Sequence, residues 1–175
     1  PTDHQHQGVR FKMPLYKEEL RYFITAALDE DIGAGDLTTL ATIPADAQLK
    51  ADMNARETMV IAGIDIAAKI IHTVDSAIKV EIMVQDGVEV TAGNVIMRLE
   101  GNARNILTAE RSALNVLQHL SGIATLTRQY VKEIEHTDCR LLDTRKTIPM
   151  YRKLAKYASR MGGAMNHRMR LDDGI

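Results

Sequence analysis

Arg140-Leu-Leu-Asp-Thr-Arg-Lys-Thr-Ile-Pro149 opens the passage that decides the fold. Arg140 to Asp143 reads as a short strand. Pro149 fits the first turn of a helix, where its missing N–H is no loss. Met150, Leu154, Tyr157, Ala158 and Met161 recur at helical spacing and predict one apolar face. Gly162-Gly163 ends that helix, and a second strand is expected beyond it. Strand, helix and strand in succession predict a parallel α/β unit.

The charge in this passage is one-sided. Between Arg140 and Arg170 the bases are Arg140, Arg145, Lys146, Arg152, Lys153, Lys156, Arg160, Arg168 and Arg170, and the one acid is Asp143. Arg152, Lys153 and Lys156 read as the solvated helix face. Arg145-Lys146 lies just past the first expected strand and His167-Arg168 just past the second. Parallel α/β folds bind ligands at that edge of the sheet. The arrangement predicts an anionic small-molecule ligand carrying carboxylates or phosphates, against the alternative of a merely basic surface. Asp143 is expected to orient its basic neighbours.

Upstream the pattern differs. Residues 1–12 read as a polar tail, with His4 and His6 solvated. Leu20, Phe23, Ile24, Ala27 and Leu28 predict a helix that Gly33 and Gly35 break. Leu49, Ala51, Met53 and Ala55 alternate as a strand does, and Ile64 to Val74 returns to helical spacing. Ile78, Val80, Ile82 and Val84 alternate again. Turns at Asp86-Gly87 and Ala92-Gly93-Asn94 separate short strands at Val88 to Val90 and Val95 to Leu99. Thr108 is expected to cap a long helix beginning at Glu110. Gly122 is expected to interrupt it, with a second stretch reaching about His136. Arg111, in the expected first turn, would oppose the helix dipole, which suggests a site or interface role beside the plainer one of a surface ion pair. A domain boundary is expected near residue 107.

Composition narrows the function classes. The chain of 175 residues is 45% hydrophobic and 26% charged with a net charge of −1, which describes a globular protein without the overall basicity of a nucleic-acid binder. No apolar run reaches the ~18 residues of a membrane helix. The single cysteine, Cys139, forms no internal disulfide, fits a reducing compartment and is expected to be buried. The run from Val84 to Gly101 is similar to the small β-fold of biotinyl and lipoyl carriers, but it holds no lysine at a hairpin tip, so it reads as structural.

Four motifs carry a family resemblance. Ala27-Leu-Asp-Glu-Asp-Ile-Gly-Ala-Gly-Asp-Leu-Thr-Thr39, Leu107-Thr-Ala-Glu-Arg-Ser-Ala-Leu-Asn115 with Leu120-Ser-Gly-Ile-Ala-Thr125, Leu142-Asp-Thr-Arg-Lys-Thr147 and Gly162-Gly-Ala-Met-Asn-His-Arg168 together resemble the quinolinate phosphoribosyltransferases. The resemblance implies an α+β N-terminal sandwich domain over residues 13–107. It implies the start of an α/β barrel over 108–175, incomplete in this chain. It also implies phosphoribosyl transfer from phosphoribosyl pyrophosphate to quinolinate, with release of pyrophosphate and CO2 and assistance from Mg2+. Arg145, Lys146, His167 and Arg168 would line the quinolinate pocket, with Thr144 at the same turn. Arg111 would reach the pocket of a partner subunit in a cytoplasmic homodimer. The family's later acidic residues and glycine-rich phosphate loops do not occur before Ile175, so metal ligands are not expected here and the 175 residues alone are not expected to complete the reaction. Two rival readings stand beside this one: a non-catalytic dimerisation or regulatory module, and a related phosphoribosyltransferase of the molybdenum-use type.

Overall fold

The computed structural model describes residues 12–173; the tail expected over 1–12, with His4 and His6, lies outside the described residues except for Lys12. Ten elements follow in order: α1 (Lys17–Ile32), α2 (Leu37–Thr42), β1 (Gln48–Asn54), β2 (Met59–Val60), α3 (Ile64–Val74), β3 (Lys79–Ile82), β4 (Glu89–Val90), β5 (Val95–Asn102), α4 (Ala103–Ile134) and α5 (Arg152–Gly162).

The alternation read in β1, β3 and β5 produces a two-faced antiparallel sheet in the order β1-β5-β3. Ala51 and Val80 flank Leu99, and Met53 and Ile82 flank Met97, all toward the core. On the opposite face Glu100 sits between Lys50 and Lys79 at 3.3 and 3.8 Å, and Arg98 between Asp52 and Glu81 at 3.5 and 3.9 Å. These rows of opposite charge suit a solvated face. A second pair, β2 with β4, closes the 59–62 segment against α4. There Ser121 Oγ accepts the Ala62 N–H at 3.1 Å and Thr125 Oγ1 accepts the Val60 N–H at 2.9 Å.

The long helix differs from its expected form. α4 begins at Ala103, because Asn102 caps it by accepting the Asn105 N–H at 3.2 Å. Thr108 is interior and donates to Asp36 at 3.4 Å. Arg111 therefore lies two turns past the N-terminus and does not oppose the dipole. Nor does Gly122 interrupt the helix. A mid-helix glycine costs only about 1 kcal/mol, and burial of Leu120, Ser121 and Ala124 on either side outweighs it. Residue 107 thus falls inside a continuous helix that packs against α1, α3 and the sheet along its first half and α5 along its second.

The strand–helix–strand passage is present in reduced form. Its two strands amount to one parallel bridge, Leu142 to Met165. The Met165 N–H donates to Leu141 O at 2.8 Å and the Asp143 N–H to Met165 O at 3.0 Å. α5 connects them. It starts at Arg152 and not at Pro149, since Pro149-Met150 forms a turn with Met150 at φ +66°. Met150 is accordingly 92% exposed and not part of the apolar face, whereas Leu154, Tyr157, Ala158 and Met161 are buried against α4. Leu154 and Met161 are covered because α4 lies on them. Cys139 is exposed, not buried. It sits in the turn after α4, where its N–H donates to Thr137 Oγ1 at 3.1 Å, and the run it heads pairs through one bridge only.

Candidate active site

The parallel bridge directs both of its strands to the same edge, so residues 143–146 and 166–168 leave the fold side by side. Several bonds fix this edge. Thr144 Oγ1 accepts the Lys146 N–H at 3.1 Å, and the Thr147 N–H donates to Arg145 O at 3.0 Å, folding the 144–147 segment into a tight turn. Arg152, at the start of α5, donates to Thr147 Oγ1 at 3.3 Å and to Met169 O at 3.1 Å, and so ties the two edge loops together. Asp173 accepts the N–H groups of Met169 and Arg170 at 2.6 and 3.0 Å, and these two bonds hold its carboxyl below the usual range.

The centre of the edge is a buried ion pair. Lys156 Nζ donates to Asp143 Oδ1, and the two side chains are 2% and 3% exposed. Asp143 also accepts from Asn166 Nδ2 at 2.6 Å and from the His167 N–H at 2.8 Å. Asp143 thus orients Lys156, Asn166 and His167, where the expected partners were the adjacent Arg145 and Lys146. Lys156, however, reads from the sequence as part of the solvated helix face and is among the most buried of the described side chains. On the helix it points away from the Leu154–Tyr157–Met161 stripe, which by periodicity alone means solvent. The signal that distinguishes it is Asp143, the one acid in the basic passage. Arg152 is likewise half-buried between the two edge loops, and Lys153 is half-exposed and pairs with Glu19 of α1 at 2.5 Å.

The structure brings together the segments that carry Thr144, Arg145 and Lys146 on one side and His167 and Arg168 on the other. Lys146 and His167 are exposed, Arg145 and Arg168 half-buried. Arg145 Nε is buried and makes no hydrogen bond within the described residues. An unpaired buried donor is costly, and an incoming carboxylate oxygen would satisfy it. Arg111 belongs to another element, exposed on α4 beside Ser112, whose hydroxyl donates to Asp31 at 3.5 Å. Tyr151 fixes the loop between the bridge and α5, its ring meeting Phe23 at 5.9 Å and His119 at 5.1 Å edge-on. Burial pushes its hydroxyl up to about 12. Among the described residues no three His, Cys, Asp or Glu side chains gather where they could hold a metal ion. Nor is any helix among them long and apolar enough to cross a membrane.

Comparison with known proteins places the chain in a family. A profile described as quinolinate phosphoribosyl transferase, N-terminal domain, matches residues 36–121, and its C-terminal domain counterpart matches 123–175. The Synechocystis sp. protein named "Probable nicotinate-nucleotide pyrophosphorylase (carboxylating)" is 47% identical over 148 residues, covering 85% of this chain and 50% of that one. The nicotinate-nucleotide pyrophosphorylase (carboxylating) of Mycobacterium leprae is 42% identical over 153 residues, covering 86% and 54%. The chain spans about half the length of these curated relatives. The crystal structure of NadC from Streptococcus pyogenes superposes with a TM-score of 0.88 at 36% identity, covering 94% of this chain and 58% of that one. The fold is therefore that of its relatives: an N-terminal sandwich followed by the opening segment of a barrel, which is not closed among the described residues.

Proposed function

The chain belongs to the quinolinate phosphoribosyltransferase family, and from that premise we propose that the protein transfers a phosphoribosyl group from phosphoribosyl pyrophosphate to quinolinate, releasing pyrophosphate and CO2 and forming nicotinate mononucleotide. The observation that carries the reading is the Leu142–Met165 bridge, which lays Arg145-Lys146 beside His167-Arg168. Quinolinate carries two adjacent carboxylates, and guanidinium forks suit planar carboxylates. Arg145 Nε, buried and without a hydrogen-bond partner among the described residues, is a donor in wait for one of them. Lys146 and Arg168 supply the remaining positive field, His167 offers a ring nitrogen, and Thr144 shapes the turn. Transfer to the ring nitrogen develops cationic character at the ribose while negative charge grows on the departing pyrophosphate. The work of these residues is to orient the acceptor and neutralise charge.

The remaining parts of the proposal follow the family. Residues 13–107 form the sandwich portion and 108–175 the barrel portion. Arg111, exposed on α4, reaches the basic edge of a second copy in a homodimer. Mg2+, implied by the family, would be held with the phosphates of the donor and would supply charge neutralisation for the departing pyrophosphate. The location is cytoplasmic, in keeping with a single, unpaired and exposed Cys139.

Calorimetric titration of the chain with quinolinate and with nicotinate tests the reading. Quinolinate is expected to bind more tightly, and Arg145→Ala to remove most of the difference. Equal binding of the two, or no binding of either, overturns it. In the complete enzyme the readout is nicotinate mononucleotide formed from quinolinate, phosphoribosyl pyrophosphate and magnesium.

A further inference from the structure

We propose that the buried Lys156–Asp143 pair is a positioning device that sets the spacing between the Arg145-Lys146 turn and the His167-Arg168 segment, and through it the preference for a ligand with two adjacent carboxylates. The inference rests on the functional reading above.

Three observations carry it. First, the pair grips both backbone groups of one residue: Asp143 accepts the His167 N–H at 2.8 Å, and Lys156 Nζ donates to His167 O at 3.2 Å. Second, Asn166 clips the same segment to both partners, its Nδ2 donating to Asp143 at 2.6 Å and to the Lys156 carbonyl at 2.9 Å. Third, the pair and the residue it grips adjoin both basic segments in the chain itself. Asp143 is two residues before Arg145, and His167 immediately precedes Arg168. A single parallel bridge cannot by itself hold two loops in register; the ion pair adds an attachment beside the one that Arg152 makes to Thr147 and Met169.

Stability does not require charges here. Burying both members of an ion pair carries a desolvation penalty, and well-packed apolar replacements are often neutral or stabilising. What an apolar pair cannot do is hold the N–H and the C=O of His167 at once. A dicarboxylate bridging both segments depends on their spacing, and a displacement of about 1 Å in such a site can cost about 100-fold. A monocarboxylate touching one segment does not depend on it.

The test is selectivity. Asp143→Val/Lys156→Met removes both charges together and leaves no lone buried ion. The double variant is expected to fold, to lose about tenfold or more in quinolinate affinity, and to keep nicotinate affinity within about twofold. A purely structural role would weaken both ligands alike, and that result, or unchanged affinity for both, overturns the proposal. Should the double variant fail to fold, Lys156→Arg decides. It keeps the charge but replaces the compact ammonium with a planar fork, and is expected to fold with reduced selectivity; wild-type selectivity overturns the proposal. Should the wild-type chain bind neither ligand, the functional reading fails separately. Hydrogen exchange at the His167 amide then judges the clamp: exchange about tenfold faster in a folded variant supports it, and equal rates overturn it.

Discussion

The Tyr157 hydroxyl donates to the Asp86 carboxylate at 2.5 Å, joining α5 to the turn before β4 across 71 positions of sequence. Asp86 also accepts the N–H groups of Gly63 and Ile64 at 2.9 and 3.0 Å, at the positive end of α3. One carboxylate thus fastens the sandwich portion to the helix that carries Lys156.

Burial raises the Asp86 carboxyl above its ordinary 3.8, outweighing the bonds from Tyr157 and the two amides. The folded state then holds this proton more tightly than the unfolded chain. Asp86's contribution to stability is greatest below the ordinary value and declines as pH rises through the folded midpoint. We expect an NMR titration midpoint for Asp86 above 3.8, and a wild-type stability that, measured against Asp86→Asn, falls over that window. A midpoint at or below the ordinary value refutes this.

Tyr157→Phe should remove one hydrogen bond to a buried carboxylate. The expected loss is about 1.5–3 kcal/mol, seen in urea unfolding as a lower midpoint with unchanged slope. An unchanged midpoint would show that the bond contributes nothing.

Gly162 lets α5 approach α4 closely. A Cβ there would meet Ala124 O at 2.4 Å and Thr127 Cβ at 2.5 Å. The first is backbone and cannot move without shifting α4. Gly162→Ala is expected to destabilise by about 1–3 kcal/mol, readable as a drop in thermal midpoint.

Met150 holds φ +66° and is 92% exposed, so its side chain gains little from the turn that strains it. Met150→Gly should relieve about 1 kcal/mol of left-handed strain and raise the unfolding midpoint, although the gain is reduced by glycine's freer unfolded chain. A lowered midpoint would contradict the strain.

Arg111 and Arg168 should respond differently. Arg111 is exposed on α4 and Arg168 half-buried at the basic edge. Arg111→Ala is expected to leave unfolding within about 0.5 kcal/mol, while weakening quinolinate binding only where the chain is dimeric by sedimentation. Arg168→Lys keeps the charge but not the fork, and should cost about 1.5–3 kcal/mol in quinolinate affinity in any oligomeric state. Equal effects would place Arg111 in its own subunit's site.

Local periodicity alone determined most of the elements. Alternation at Leu49–Met53 and Val80–Ile82 needed only the two-residue repeat of a strand, and Ile64–Val74 only the helical repeat, so these were legible with no knowledge of the partner. The basic segments at Arg145-Lys146 and His167-Arg168, and the family motifs around them, were likewise in the sequence. Tertiary structure decided whatever depends on what lies opposite. Whether Gly122 breaks α4 turned on burial of its neighbours. Where α4 begins turned on Asn102 finding an N–H to cap. Cys139 and Met150 are apolar by type, yet nothing among the described residues folds over them. Lys156 shows the physical reason most sharply: a lysine opposite an apolar stripe faces solvent unless a second layer covers that side of the helix. Only the parallel bridge that brings Asp143 and His167 over α5 turns a surface charge into a buried one.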